Sequence, residues 1–237
     1  DELMIKGNKL TKASINYVPT IDGSNIKIDS KEVSGDISWF LSEKLYKLNF
    51  TKMHLMREEK ERKNKETITE ENIKNEPDSG HDSSTELSKI DMKVDSFKIN
   101  ENEYGKVMLS AREDLEGFVF DSLSIINDAY TLKGNGYWKS DMFPEKTSMS
   151  FEWDIKNVGN TLNNLGYPNL IEDGYASVIG LITWDDDPAN FSAEDFYGNF
   201  TINAKKGTIK KIQPGVAGRL VGLISLQNLP RRLTLDF

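Results

Sequence analysis

The feature that most constrains this chain is a strict alternation of apolar and polar side chains over residues 147–155. Met149, Phe151, Trp153 and Ile155 occupy one parity, and serine, glutamate and aspartate occupy the other. Because successive side chains of a β-strand point to opposite faces, the alternation predicts a strand with one apolar and one polar face. The apolar face must lie against something that excludes water.

The same period of two recurs along most of the chain. Runs of this kind are found over residues 10–56 and again after residue 90, separated by turn residues such as Asp22-Gly23. They predict a mainly β fold of antiparallel strands. A sheet with one apolar face either packs on a second sheet as a closed sandwich or curls and leaves its apolar interior for another molecule.

Three local patterns refine this prediction. A one-residue phase shift at Asp95-Ser96 predicts a β-bulge. Asn157 is a suitable N-cap for a short helix that runs to Leu165. Residues 175–184 are almost continuously apolar, which predicts a strand covered on both faces.

Residues 57–86 differ in kind from the strands around them. They contain ten acidic and six basic residues, no aromatic residue, and only Ile68 and Ile73 as large apolar side chains. Such a segment cannot bury enough apolar surface to offset the entropy of ordering it, so we predict a disordered loop or linker. The predicted organisation is an N-terminal β-meander over 1–56, a charged linker over 57–89 and a second β-region over 90–237.

The composition argues against catalysis. The 237 residues include no cysteine and only two histidines, His54 and His81, so thiolate metal sites and disulfides are excluded. His81 lies in the charged segment, and His54 has no recognisable catalytic partner motif. The spacing of residues 185–187 fits no calcium loop, and no glycine-rich phosphate loop joins a strand to a helix. We expect no enzyme activity, no catalytic residues, no metal and no cofactor.

The net charge of -8 is unevenly distributed, because residues 205–237 carry seven Lys and Arg against one Asp. Attraction to lipid phosphates and a solvated sheet edge guarded by lysines both account for this basic segment. Nucleic-acid binding is not expected, since Phe237 is the segment's one aromatic residue.

The chain ends in a segment that changes from a helical to a strand-like pattern. An apolar helix is predicted near 216–229, between Pro214 and Pro230, and it is too short to span a bilayer. It either caps the end of a sheet or lies along a hydrophobic groove. Its apolar face consists of Val216, Leu220, Leu223 and Ile224.

This C-terminal segment carries a resemblance to a known family. Residues 218–237, GRLVGLISLQNLPRRLTLDF, resemble the signature of the YhdP branch of the AsmA-like bacterial envelope proteins. The resemblance continues through KGTIKKIQPG at 206–215, NLGYP at 164–168 and the region 92–138. It covers roughly residues 92–237, whereas residues 1–56 fit the family only by their pattern.

The resemblance implies a fold and a set of site residues. The fold is a curled antiparallel β-sheet of half-pipe or groove shape, with one or two short helices. The C-terminal helix would lie at the groove, and Arg219, Arg231 and Arg232 are candidate contacts for lipid phosphates. The groove would be lined by Phe118, Phe120, Leu132, Trp138, Met149, Phe151, Trp153 and Ile155.

The resemblance also implies a function. Proteins of this branch are inner-membrane-anchored bridges that carry phospholipids across the periplasm to the outer membrane along a hydrophobic β-groove. This chain, which opens at Asp1 and stops in mid-strand pattern at Phe237, would be a periplasmic segment that reaches both membranes through other parts of the full protein. The alternative is an envelope scaffold or assembly module with a closed β-sandwich core and no lipid transport.

Overall fold

The computed structural model describes residues 2–5, 8–56, 88–164, 169–190 and 196–209. Strands dominate these ranges, which confirms the mainly β prediction. One α-helix, α1 (Val158–Asn164), and a short 3-10 helix, Pro188–Asn190, accompany them. The strands are β1 (Glu2–Ile5), β2 (Asn8–Thr11), β3 (Ser14–Thr20), β4 (Gly23–Asp29), β5 (Val33–Phe40), β6 (Leu45–Leu55), β7 (Lys89–Ile99), β8 (Asn102–Asp114), β9 (Gly117–Ile126), β10 (Tyr130–Lys139), β11 (Lys146–Ile155), β12 (Ile171–Trp184) and β13 (Tyr197–Ile209).

Strands β3 to β13 form one open sheet of 11 strands that follow one another in chain order. The described strands are therefore not stacked as two sheets, and the alternative of a closed β-sandwich is wrong for this part of the chain. Every described strand from β3 to β13 belongs to this sheet. The predicted linker at 57–86 and the predicted helix near 216–229 lie outside the described residues.

The predicted antiparallel sheet is confirmed, and among the described strand pairs β6 and β7 are the exception because they run parallel. Leu45 pairs with Lys89 and Leu55 with Ile99, so the chain leaves β6 at one end of the sheet and enters β7 at the other. To connect two parallel strands, the chain must run back along the whole length of a strand, about 35 Å for strands of this size. A tight hairpin is too short to do this. The N-terminal and C-terminal β-regions consequently share one sheet.

Two of the local predictions are confirmed. The register of β7 against β8 shifts between Val94 and Phe97, which is the bulge predicted at Asp95-Ser96. Asn157 caps α1, since its Oδ1 accepts a hydrogen bond from the backbone N–H of Asn160 at 2.8 Å. The end of this helix prediction, at Leu165, lies outside the described residues.

The prediction that β12 is covered on both faces is wrong for the described residues. Tyr175, Ile179 and Leu181 point away from the apolar side of the sheet and are 57%, 55% and 46% exposed. Their register partners on β11 include Ser150 and Glu152, so they lie on the polar face. A continuous apolar run therefore does not prove that a second layer covers a strand.

Two elements cover the same end of the sheet. The hairpin of β1 and β2 places Leu10, which is 4% exposed, in a cluster with Val33, Phe50, Val94 and other apolar side chains. Helix α1 follows β11 at this end and contacts both β12 and β8. Its Val158 packs against a second cluster around Tyr130, Ile155 and Val178. These contacts provide the cores that hold the sheet in shape.

A carboxylate ties the hairpin to this end. The backbone N–H of Thr11 donates to Oε2 of Glu32 at 2.6 Å, and the carbonyl oxygen of Thr11 accepts from the N–H of Lys31 at 3.0 Å. The hydrogen bond from Thr11 is the main cause that lowers the pKa of Glu32 below its ordinary value. A carboxylate whose folded-state pKa is lowered stabilises the fold above its unfolded-state pKa, and this contribution is lost as the pH falls through the folded-state pKa.

We therefore expect Glu32→Gln to lower the thermal unfolding midpoint at pH 7 and to reduce the loss of stability on acidification below about pH 4.3, the ordinary glutamate value. Thermal unfolding followed by circular dichroism between pH 7 and pH 3 measures both effects. Glu43→Gln, at an exposed glutamate in the turn between β5 and β6, is the matched control. A pH profile of Glu32→Gln that parallels the parent's would show that Thr11 and Glu32 do not couple in solution.

Candidate functional site

A single row of apolar positions crosses the whole sheet. Each member of this central row is the register partner of the next on the neighbouring strand, and all of them are apolar or glycine. Because register partners point to the same side of a sheet, the row forms one continuous surface. Its members, from β3 to β13, are Tyr17, Ile26, Ile37, Leu48, Met92, Leu109, Leu123, Gly134, Phe151, Gly180 and Phe200.

The rows on either side of the central row are also apolar. Toward the covered end the row consists of Ile15, Ile28, Gly35, Phe50, Val94, Val107, Ile125, Leu132, Trp153, Val178 and Ile202. Toward the other end it consists of Pro19, Ser24, Trp39, Tyr46, Ile90, Ala111, Phe120, Gly136, Met149, Ile182 and Gly198. Ser24 is the one aliphatic hydroxyl in these three rows. We call the three rows together the apolar face.

The opposite face of the sheet has a different chemistry. The row behind the apolar face reads Asn16, Lys27, Asp36, Asn49, Lys93, Met108, Ser124, Lys133, Glu152, Ile179 and Thr201. Side chains that are charged or polar suit contact with water. Met108 and Ile179 are the apolar members of this row, so the sheet is amphipathic on most of its strands, and the apolar face is its distinctive surface.

All eight predicted groove residues lie on the apolar side of the sheet. Phe151 belongs to the central row, Leu132 and Trp153 to the row toward the covered end, and Phe120 and Met149 to the row toward the other end. The remaining three extend this side beyond the three rows: Phe118 and Trp138 stack with their ring centroids 5.6 Å apart, and Ile155 is buried beside α1. The predicted helix residues and Arg219, Arg231 and Arg232 lie outside the described residues.

Sequence reasoning missed the part of the apolar face that lies on the N-terminal strands and on β13. Tyr17, Ile37 and Leu48 continue the central row on one side, and Phe200 continues it on the other. Their period of two is visible in the sequence. What it does not show is that β6 pairs with β7, because the chain between these strands is long and polar.

Two glycines on the apolar side lie where neighbouring strands approach each other closely. Phe151 lies between Gly134 and Gly180, and a Cβ on Gly180 would be 2.6 Å from the carbonyl oxygen of Asn199 and 2.5 Å from Cβ of Phe200. A Cβ on Gly134 would be 2.7 Å from the carbonyl oxygen of Ser150. Only glycine fits where neighbouring strands approach this closely on one face. The two glycines therefore let the strands beside β11 pack closely next to Phe151 on the apolar face.

Burial varies along the apolar face. Phe50 and Val94 in the middle of the sheet are 4% and 0% exposed because they pack under Leu10. On the edge strands, Ile15 is 51% and Tyr17 is 61% exposed, and on β13 Ile202 is 51% exposed. The eight predicted groove residues are half-buried, apart from Ile155. The described part of the chain leaves much of this apolar surface accessible.

The indole N–H groups on this side of the sheet differ in whether they have a hydrogen-bond acceptor. Trp138 donates to Oε2 of Glu145 at 2.8 Å, and Trp184 donates to the carbonyl oxygen of Asp187 at 3.0 Å. The Nε1 of Trp153 is buried and has no hydrogen-bond partner among the described residues. A buried donor without an acceptor costs about 1–3 kcal/mol, so this group stands out from the others.

Tyr130 packs against Trp153 in a T-shaped contact, with ring centroids 5.6 Å apart and an interplanar angle of 84°. Burial raises the pKa of the Tyr130 hydroxyl above its ordinary value, and a hydrogen bond with the Asn127 side chain opposes this rise. The surroundings of Trp153 are therefore of low polarity, as the raised pKa of its neighbour indicates.

Catalytic and metal-binding groups are sparse. Within the described ranges, no three His, Asp or Glu side chains come close enough to hold a metal ion. His54 does have a neighbour that the sequence did not reveal, since its Nε2 lies 3.2 Å from Oγ of Ser96. In the same ranges no carboxylate hydrogen-bonds to the His54 ring, as a catalytic triad would require. This pair lies on the polar face, away from the apolar face.

The geometry defines a class of protein: one open β-sheet of eleven strands with a continuous apolar face. The chain belongs to the YhdP family, because the family model described as YhdP protein matches residues 1–237. The match includes the N-terminal strands and the charged segment, so a resemblance limited to residues 92–237 was too narrow. No curated protein and no solved structure matches the chain. Membership in this family supports a role related to lipid transfer in the bacterial envelope.

No helix in the described ranges is long and apolar enough to cross a membrane.

Proposed function

We propose that this chain is a periplasmic segment of an inner-membrane-anchored bridge that carries phospholipids between the inner and outer membranes. The observation that carries the proposal is the unbroken register of apolar positions across all eleven strands of the sheet. Movement along such a surface needs no bond making or breaking. The proposed activity therefore requires no catalytic residue, metal or cofactor, and no nucleic acid takes part.

The dimensions of the apolar face suit an acyl chain. Neighbouring strands are about 4.8 Å apart, so the eleven strands extend over about 48 Å across the sheet. Same-face neighbours along a strand are about 6.8 Å apart, which makes the three rows about 14 Å wide. An acyl chain of about 15 Å, half the thickness of a bilayer core, would cover about three strands. Several lipids could therefore occupy this segment one after another.

The energetics favour occupancy, and the continuity of the face favours movement. Each methylene that leaves water contributes about 0.8 kcal/mol, so a chain of about 15 carbons gains on the order of 12 kcal/mol before losses of freedom are counted. Because each strand presents apolar side chains at the same three levels, a bound chain meets similar surroundings when it shifts by one strand, except where Leu10 covers Phe50 and Val94. A continuous face of this kind allows transfer without a deep trap at any one position.

Native mass spectrometry tests the proposal. The segment is purified from bacterial membranes under mild conditions, and its bound molecules are identified by lipid extraction. We expect phospholipid to co-purify with the folded chain, and an environment-sensitive apolar dye to bind stoichiometrically and to be displaced by added phospholipid. A folded chain that carries no lipid and binds no dye would favour a scaffold whose apolar face meets only protein.

A further inference from the structure

Trp153 occupies a distinctive position on the apolar face. It lies on β11, with Leu132 and Val178 as its register partners and Phe151 and Ile155 as its same-face neighbours along the strand. None of these side chains has an oxygen or nitrogen that accepts a hydrogen bond. The indole N–H of Trp153 is therefore a polar group among apolar neighbours, and it has no partner among the described residues.

We infer that Trp153 is a polar anchor on the groove, which donates its indole N–H to the ester carbonyl oxygen of a bound acyl lipid. The inference rests on the proposed function, because it assigns a contact within the same groove. It adds a chemical requirement that an apolar face alone does not impose: the preferred ligand has a neutral acceptor oxygen at the head of its acyl chain.

The charge of the surroundings decides which oxygen of the lipid binds. The three rows of the apolar face contain no Lys or Arg, so a phosphate drawn in to Trp153 would be buried without a compensating charge. An ester carbonyl is neutral, accepts hydrogen bonds well and is attached to the acyl chain itself. The phosphate can remain in water at the edge of the groove while the carbonyl reaches the indole.

The indole can reach such a ligand because its ring is only partly buried. The torsion that orients the ring on its Cβ is broad, and no hydrogen bond holds the N–H in its buried orientation. Turning the ring exchanges an unsatisfied donor for a satisfied one, so arrival of an acceptor favours the turn. Trp138 and Trp184 lack this freedom because their N–H groups are already bound to Glu145 and Asp187.

The anchor is tested by changing the ligand and, separately, the side chain at Trp153. The probes are a short-chain phosphatidylcholine with two ester-linked chains and its ether-linked analogue, each below its critical micelle concentration, and each measured by displacement of the apolar dye. We expect the parent to bind the ester lipid about tenfold more tightly, which corresponds to about 1.4 kcal/mol. Trp153→Phe keeps an aromatic ring but removes the donor, so the two lipids should then bind equally.

A control variant and a measurement of unfolding temperature make the outcome unambiguous. Trp184→Phe, which removes an indole N–H that already has a protein partner outside the predicted groove lining, should keep the preference for the ester lipid. Trp153→Phe should unfold at the parent's temperature or higher without lipid, because it loses an unsatisfied donor. Equal binding of both lipids by the parent, or a preference that survives in Trp153→Phe, overturns the anchor and leaves the proposed function standing. If neither lipid displaces the dye from the folded parent, the proposed function fails, and the anchor fails with it.

Discussion

Phe151→Asp is expected to lower the affinity for phospholipid at least about a hundredfold while the chain stays folded. Phe151 lies in the central row and is flanked by Gly134 and Gly180, so its ring supplies the apolar surface at this point of three adjacent strands. An aspartate there would carry a charge that a bound acyl chain must desolvate without a partner, at a cost of several kcal/mol. A loss of about 2.7 kcal/mol is already a hundredfold.

The matched control lies one residue away. Ser150→Asp introduces the same charge on the adjacent position, which is exposed on the polar face, so lipid binding should remain close to the parent's. Trp153→Asp serves as a second variant on the apolar face. Circular dichroism and thermal unfolding establish that each variant is folded, and native mass spectrometry measures bound phospholipid.

Three results would contradict this expectation. If Phe151→Asp stays folded and retains its lipid, the ligand does not contact the central row at β11. If the parent carries no lipid and both apolar-face variants unfold, these aromatic rings form a closed protein core instead of a groove. Equal loss of lipid in Ser150→Asp would indicate a general effect of charge on this strand.

The second large effect concerns stability. Phe50→Ala is expected to reduce the free energy of unfolding by about 3–5 kcal/mol, the usual range for a buried phenylalanine. Phe50 is 4% exposed and belongs to the cluster of Leu10, Val33, Val94 and Val107, and its neighbour Gly35 leaves room for the ring. Removal of the ring opens a cavity at the place where the hairpin of β1 and β2 packs on the sheet.

The control is an apolar residue in the same row. Ile15→Ala alters a side chain that is 51% exposed on the edge strand β3, so we expect a loss below about 1 kcal/mol. Urea unfolding at equilibrium measures both variants. A small loss at Phe50 would show that the hairpin does not pack there in solution. A loss at Ile15 as large as at Phe50 would show that the edge of the apolar face is covered in the folded protein.

Several features of this protein are determined by local sequence. The alternation in β11 defines which side chains share a face, because the two-residue period of a strand is a property of its backbone. The bulge at Asp95-Ser96 and the Asn157 cap are also local, since a phase shift and a capping oxygen act within a few residues. All eight predicted groove residues lie on one side of the sheet for this reason.

Other features depend on which distant segments meet. The parallel pairing of β6 with β7 joins the apolar surfaces on either side of residues 57–87, and it determines that one face runs unbroken from Tyr17 to Phe200. No local pattern encodes the choice of a strand's neighbour, because register and pairing are decided by side chains far apart in the chain.

Burial is likewise decided by tertiary contacts. Phe50 and Ile15 are both apolar, belong to the same row and lie in strands with the same two-residue alternation. Phe50 is nevertheless buried under Leu10, whereas Ile15 is half exposed at the edge of the sheet. Likewise, Trp138 has an acceptor and Trp153 has none. The sequence by itself determined the two faces of each strand, and the tertiary structure decided what covers them, because alternation is a property of one strand whereas packing is a property of several.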